Sequence, residues 1–402
     1  MSEKTINKVP NVPNLRFHKF TSDWLKCPLG KIASFYKGTG ISKEQLSLEG
    51  NECILYGELY TKYKTETITD IKSKTNIPTK GLFFSKSNDV IIPTSGETPV
   101  DIATACCVTK NDVLLGGDLN IIRLHSDNGS FISCQLNGKR KYDIAKIAQG
   151  ASIVHLHNED LKKLVIFKPQ SLIEQELIAE VFSKIDKRIE LQSKIIEDLK
   201  LLKFRLIDSL IGENIPNCIF ENLYNFASEG GTPSTSKMQY YENGTIPFVK
   251  IDDLKEKYLQ ENRDYITEDG LSNSSAWLIP TNSIIYSNGA TIGKLSINTY
   301  PIATKQGILG IIPSKLVIPE YMYYFMQSKY FRKEVHKITV KGTMDCAYLK
   351  DLSKIKCYIP SIKEQEKDIA ILNCLDEKIK IEYILIKKYK EQKKFLLSNM
   401  FI

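Results

Sequence analysis

Four stretches carry residue types at spacings that could do chemistry. Phe35-Tyr36-Lys37-Gly38-Thr39-Gly40 has the look of a glycine-rich loop for S-adenosylmethionine. The Asn/Asp-Pro-Pro-aromatic tetrapeptide of an amino-methyltransferase is found nowhere in the chain, so the stretch reads as a turn. Gly289-Ala290-Thr291-Ile292-Gly293-Lys294-Leu295 is one residue short of a phosphate loop, and Leu295 stands where a Ser or Thr would hold magnesium. His155 and His157, two apart, share one face of a strand, but no third ligand accompanies them and no metal is expected. Asp252-Asp253 reads as a cap or a solvated face, and no Ser-His-Asp pattern is present. No catalytic residue is assigned, so the chemistry to look for is binding.

Loops rich in Gly, Ser, Thr and Lys recur along the chain: 37–43, 95–98, 230–234, 288–291 and 341–343. Glycine lets a backbone approach a phosphate, and hydroxyls and ammonium groups contact its oxygens. Lys62-Tyr63-Lys64 and Lys139-Arg140-Lys141 add local positive charge. The candidate DNA contacts are Lys43, Lys62, Tyr63, Ser95, Thr98, Lys250, Asn288, Thr291, Lys305, Gln306 and Lys341. Gln306 and Asn288 have the groups to pair with adenine, and the lysines suit guanine or phosphate.

Two long elements must position these loops. From Pro169 to Ile211, apolar residues recur at steps of three and four, with one double step across Gln192: Ile178, Val181, Ile185, Ile189, Ile196, Leu199, Leu202, Leu206 and Leu210. That is a helix with a packing seam. Ser171 and Glu174 read as a capping box at its start, and Gly212 marks its stop. The same element returns from Pro360 to Ile402. A shift of 190 residues carries Glu174-Gln175-Glu176 onto Glu364-Gln365-Glu366, Asp186 onto Asp376, Lys203 onto Lys393 and Leu206 onto Leu396. Its seam includes Leu375, Ile379, Ile386 and Leu396. Such a repeat means two similar halves, each a globular block followed by a long helix. Each helix would span about 60 Å, and two side by side in opposite senses would relate the blocks by a pseudo-two-fold.

The blocks mix short β-like runs with turns, which predicts α+β domains with mixed sheets. The expected division is a loose tail over 1–14, a first domain over 15–168, a long helix over 169–212, a second domain over 213–359 and a second long helix over 360–402. Residues 321–335, rich in aromatics, read as one amphipathic helix serving the core. The segment 42–80 is an insertion of the first half alone. A chain of 402 residues, 42% hydrophobic and 25% charged, can bury a core in each half. The net charge of +8, dominated by lysine, is compatible with an anionic partner. Nine scattered cysteines with no CxxC pair point to reduced thiols in a cytoplasmic protein. Neither a signal peptide nor a membrane-spanning run is expected.

This ordering resembles the specificity subunit of type I restriction-modification systems. The resemblance rests on the duplicated helix motif (Pro169, Glu174, Gln175, Ile185, Asp186, Ile189 and Pro360, Glu364, Gln365, Leu375, Asp376, Ile379). It rests also on the stretch GGTPSTSKMQYYENGTIPFVKIDDL at 230–254, and on SNGATIGKLSI at 287–297 followed by ATKQGILGI at 303–311. The resemblance implies two target-recognition domains, each reading one half of an asymmetric bipartite target in double-stranded DNA. They would be separated by an antiparallel coiled coil that sets the spacer and docks two modification subunits. The chain itself would be non-catalytic and hold no cofactor. S-adenosylmethionine, ATP and magnesium would sit on modification and restriction subunits, the complex acting as an adenine methyltransferase and ATP-dependent endonuclease. The recognition subunit of a related enzyme cutting on both sides of its site, and a coiled-coil interaction scaffold, remain as alternatives.

Overall fold

The computed structural model describes residues 11–150, 154–212, 215–289, 291–340 and 345–402. The chain forms two compact units. One comprises residues up to Lys194 together with Ile384–Ile402, and the other comprises Ile195–Tyr383. Each unit therefore takes its globular block and a portion of both long helices, a division that a linear reading into successive segments does not contain.

The first unit is built on a five-stranded sheet in the order Ala33–Lys37, Leu119–Leu124, Asp89–Pro93, Cys106–Val108, Thr67–Ile68. All pairings are antiparallel except the last. Asp89–Pro93 is buried along its whole length, which is why the run Val90-Ile91-Ile92 does not alternate with polar residues. One face meets a core containing Trp24, Ile92, Phe131, Ile178, Phe182 and Phe401. The other meets a second core, around Ile54, Ile91, Leu115 and Ile121. A second sheet, in the order Leu46–Ser47, Ser73–Thr75, Asn51–Ile54, Leu114–Leu115, Phe83–Phe84, takes three strands from 42–80. Two of them, Asn51–Ile54 and Ser73–Thr75, have counterparts in the second unit, so the segment is not an insertion of the first half alone as expected. Of the tail expected over 1–14, residues 1–10 lie outside the described residues, and Asn11 is tied to Trp24 by two hydrogen bonds of 2.9 Å.

The second unit repeats the main sheet strand for strand: Tyr224–Glu229, Ile308–Pro313, Ile284–Ser287, Leu295–Asn298, Tyr258–Leu259. Again the final pairing alone is parallel. Its smaller sheet, Asp264–Ile266, Ile246–Val249, Ala303–Thr304, keeps the antiparallel and parallel neighbours of its counterpart in the first unit. The aromatic stretch expected as one helix is two, Pro319–Phe325 and Lys329–Ile338. Ser328 starts the second by accepting a hydrogen bond from the Phe331 amide at 3.1 Å. Tyr321, Tyr324, Phe325 and Phe331 are all core residues.

The long helices run Leu172–Ile207, followed by a π-helical turn at Asp208–Gly212, and Ile362–Asn399. Within the first unit, Phe182 meets Phe401, Asp186 meets Lys393 and Arg188 meets Tyr389, so one number rises as the other falls. Within the second, Lys200 lies over Tyr383 and Lys203 pairs with Asp376. The helical segments are thus antiparallel inside each unit. Of the seam residues, Ile178, Ile185 and Ile196 are buried, while Val181, Ile189, Leu199, Leu206, Leu210, Leu375, Ile379, Ile386 and Leu396 are half-buried. Leu202, expected in the seam, is exposed instead. The capping box is also different from expectation in the first helix. Glu174 is fully buried and binds Arg16 bidentately at 2.7 and 2.9 Å, rather than reaching back to Ser171. At the second helix the Glu364 carboxylate does reach back, accepting from the Ser361 amide at 2.9 Å and from the Ser361 hydroxyl at 2.7 Å. Among the described residues, no helix is long and apolar enough to cross a membrane.

Candidate nucleic-acid interface

In the second unit, strand ends and turns converge on one loop cluster. The Gly230 and Gly231 amides donate to the Ile308 and Thr304 carbonyls at 2.8 and 3.0 Å. The Gly307 amide donates to the Glu229 carboxylate at 2.7 Å, and the Asn288 amide to the Gly307 carbonyl at 3.1 Å. The Lys305 amide reaches the Val249 carbonyl at 3.0 Å, next to Lys250. A Cβ at Gly230 would lie 2.2 Å from the Thr304 oxygens, so only glycine allows this approach. The cluster brings together Lys250, Asn288, Lys305 and Gln306, with Thr291 on the adjoining loop, where the Ser287 hydroxyl donates to its carbonyl. Lys305 and Gln306 are exposed, and no described residue engages their side chains. Lys250 pairs with Asp264 at 2.9 Å.

The first unit builds the corresponding cluster with the same backbone bonds. The Gly38 amide donates to Leu119 and that of Thr39 to Leu115; the Gly116 amide donates to Ile54, and that of Thr94 to Asp118. These bonds make Gly38 the counterpart of Gly230, Gly116 of Lys305, Gly117 of Gln306, Asp118 of Gly307, and Thr94 of Asn288. A Cβ at Gly38 would lie 1.9 Å from the Gly116 carbonyl, the same steric demand as at Gly230. The two clusters share a frame and differ in what they present: Gly116-Gly117 in one, Lys305-Gln306 in the other.

Other candidate residues are placed less favourably for surface contact, and two turn inward. Tyr63 is buried, its hydroxyl accepts the Lys72 amide at 2.9 Å, and burial pushes its phenol up to about 12. Lys62 is held by Glu58 and Ser73, both at 2.6 Å. The Asn288 side chain is buried and donates to the Ala347 carbonyl at 3.3 Å. Tyr63 and Asn288 serve the framework, because a buried side chain is not available to DNA, whereas Lys62 remains exposed. Thr98 caps the short helix Pro99–Ile102 through the Asp101 amide at 3.1 Å. Ser95 forms a two-residue strand against Val154–His155, and Lys43 lies exposed at the start of a 3-10 turn. Lys341 lies outside the described residues. So do Ala290 in the 288–291 loop and all of the 341–343 loop. Among the described residues, no group of three or more His, Cys, Asp or Glu is arranged to hold a metal.

Sequence reasoning missed the groups that tie the helices to each unit. Lys393 is largely buried between Glu66 at 2.5 Å and Asp186 at 2.6 Å. Burial and the neighbouring Glu66 carboxylate push Asp186 up to about 7, against the pull of Lys393. In the second unit the repeat-related pair Lys203 and Asp376 is joined by Tyr324, whose hydroxyl donates to Asp376 at 2.6 Å. Lys257 completes the group through Tyr324 and Asn373, and burial pulls its ammonium downward. Gln175 and Gln365 were visible as part of the repeat, but their role was not. The Gln175 amide accepts the Asn128 amide at 2.9 Å, and that of Gln365 accepts the Ile318 amide at 2.8 Å. Both also donate to the carbonyl of the proline preceding their helix.

Residues 220–390 match the profile of the type I restriction modification DNA specificity domain. The chain is 30% identical over 153 residues to the Escherichia coli type I restriction enzyme EcoR124I/EcoR124II specificity subunit, covering 37% of each protein. It is 30% identical over 170 residues to the MjaIX specificity subunit of Methanocaldococcus jannaschii, covering 42% of this chain and 38% of that one. The matches to these two relatives therefore span little more than a third of their length. A putative type I specificity subunit of Mycoplasma pneumoniae, S.MpnORF638P, aligns over 96% of both chains at 22% identity. Among solved structures, the S subunit of a type I restriction-modification system from M. genitalium superposes with a TM-score of 0.57 and 18% identity, over 97% of this chain and 99% of that one. A chain from a structural study of type I complex assembly and conformational transition gives a TM-score of 0.63 at 14% identity, over 93% and 96%. The solved structures share the fold, and the first unit repeats the main-sheet topology of the matched second unit. On the profile match and the relatives together, residues 220–390 are similar to the DNA specificity domain of type I restriction-modification specificity subunits.

Proposed function

We propose that this chain is the DNA sequence-specificity subunit of a type I restriction-modification complex. Each unit reads one half of an asymmetric bipartite duplex target. The observation that carries this reading is the pair of equivalent loop clusters, built by the same backbone bonds but lined by different residues. A shared frame with unlike side chains suits two readers of unlike half-sites. Among the candidate side chains, exposed Lys305 and Gln306 suit major-groove contact in the second unit, glutamine being the donor–acceptor match for adenine.

The chain is non-catalytic in this proposal. The long helices set the distance between the half-sites and dock two modification subunits. S-adenosylmethionine belongs to those subunits, and ATP and magnesium to restriction subunits. The exposed apolar residues Leu191, Ile195, Leu201, Ile381 and Ile384 on the helices are candidates for the docking contacts. The test is selection from a random-sequence duplex library by the full chain with its modification partner. Enrichment of two unlike short motifs at fixed separation supports the reading. Enrichment of none, with binding that follows salt alone, removes it.

A further inference from the structure

The equivalence of the two clusters raises a question about the first unit. Where the second unit presents Lys305 and Gln306, the first presents Gly116 and Gly117, which offer no side chain. Its reading groups must come from elsewhere on the same rim. His155 and His157 stand there. They occupy positions whose counterparts in the second unit are Cys346 and Tyr348. The bridges Gln149–His155 and Val340–Cys346, and the Leu156 and Ala347 amides bonded to Thr94 and Asn288, fix that alignment.

Both histidines are exposed, and their rings stack with centroids 6.5 Å apart and planes 16° apart. Their backbone is held on every side. His155 exchanges hydrogen bonds of 2.9 and 2.7 Å with Gln149 and pairs in register with Ser95. Between the two rings, Leu156 donates to Thr94 at 2.9 Å and accepts from Asn120 at 2.9 Å. Beyond them, the Asn158 amide binds the Tyr36 carbonyl at 3.1 Å, close to Gly38. No described residue takes a hydrogen bond from either ring. Two parallel imidazoles on a fixed backbone, beside the glycine turns, are presented donors with no internal acceptor.

We infer that His155 and His157 are DNA-contacting residues of the first unit, donating to acceptors on the duplex. The inference rests on the proposed DNA-reading function of the loop clusters. The acceptors are either purine N7 and O6 atoms on the major-groove edge or phosphate oxygens, which share the same donor chemistry.

Selection from a random-sequence duplex library by the full chain with its modification partner tests this, comparing wild type with His155→Ala, His157→Ala and the double His→Gln variant. With base contacts, the alanine variants relax one or two positions of one half-motif and weaken binding to the wild-type target roughly tenfold. The other half-motif stays intact and reports that the protein is folded. With phosphate contacts, both half-motifs survive, affinity falls for every sequence, and the salt slope becomes shallower. In either arm, His→Gln retains part of the binding because it keeps a donor. Unchanged motifs, affinity and salt slope in both alanine variants overturn the inference while leaving the wild-type bipartite motif, and the function proposed above, standing. Absence of any motif for wild type fails that function itself.

Discussion

The Lys393 ammonium stands 2.6 Å from an Asp186 carboxyl oxygen and 2.5 Å from one of Glu66, so one largely buried cation serves two largely buried carboxyl groups. The repeat of 190 residues turns the same pair around: Asp376 takes the place of Asp186, and Lys203 that of Lys393. Each unit thus has an acidic residue on one helix answering a lysine on the other, with the helix roles exchanged. Removing the lysine leaves uncompensated charge in the interior. Lys393→Met is expected to destabilise the first unit by about 3–5 kcal/mol in denaturant unfolding, the scale for breaking a buried pair. Lys203→Met is expected to cost less, because Lys257 and the Tyr324 hydroxyl remain around Asp376.

The same cluster gives a pH dependence. Burial first, and Glu66 second, raise Asp186 from 3.8 to about 7. The folded state then binds a proton that the unfolded chain releases, so this contribution is fully present below about pH 4 and is lost as pH rises through about 7. Denaturation midpoints of the first unit are expected to fall over that window. Glu66→Gln removes the opposing carboxylate and is expected to flatten the profile. An identical slope in wild type and variant would show that Glu66 does not set it.

The buried amides Gln175 and Gln365 join each block to the start of the helix that follows it. Gln175→Ala strands the Asn128 amide and Gln365→Ala the Ile318 amide, at about 1–3 kcal/mol each. Hydrogen exchange at those two amides is the direct measurement, with faster exchange confined to the unit that carries the substitution.

Gly230 sits where a Cβ would meet the Thr304 oxygens at 2.2 Å, directly beneath the turn that presents Lys305 and Gln306. Gly230→Ala is expected to cost about 1–3 kcal/mol by overpacking and to weaken DNA binding by displacing that turn. Gly293→Ala is the contrast: its Cβ would meet nothing, and the cost comes from a φ of +100° alone.

Much of this was legible because repeats survive in sequence where their purpose does. Asp186, Lys203, Gln175 and their counterparts stand in register at a shift of 190 in the sequence itself. The glycines at 38, 230 and 231 were also plain, since close backbone approach tolerates no other residue there. Long-range partners were not. Nothing local marks Glu66 as the second anion on Lys393, or diverts Glu174 from a cap to Arg16, because those choices are made by chain segments more than a hundred residues away. Tyr63 and Asn288 have polar groups that suit DNA equally well, and only burial reveals that they are spent inside. The equivalence of Gly116-Gly117 with Lys305-Gln306 needed the backbone bonds, as those residues share no identity.

The central claim is that two unlike readers act across a separation that the long helices set. Inserting one helical turn of four residues after both Lys194 and Tyr383, where the chain passes between its compact units, lengthens each helix by about 6 Å. Methylated-base mapping with the modification partner, before and after insertion, is the most direct measurement. The account predicts unchanged half-motifs and a gap longer by about two base pairs, at about 3.4 Å each. An unaltered gap, or a single uninterrupted motif in either protein, would contradict it.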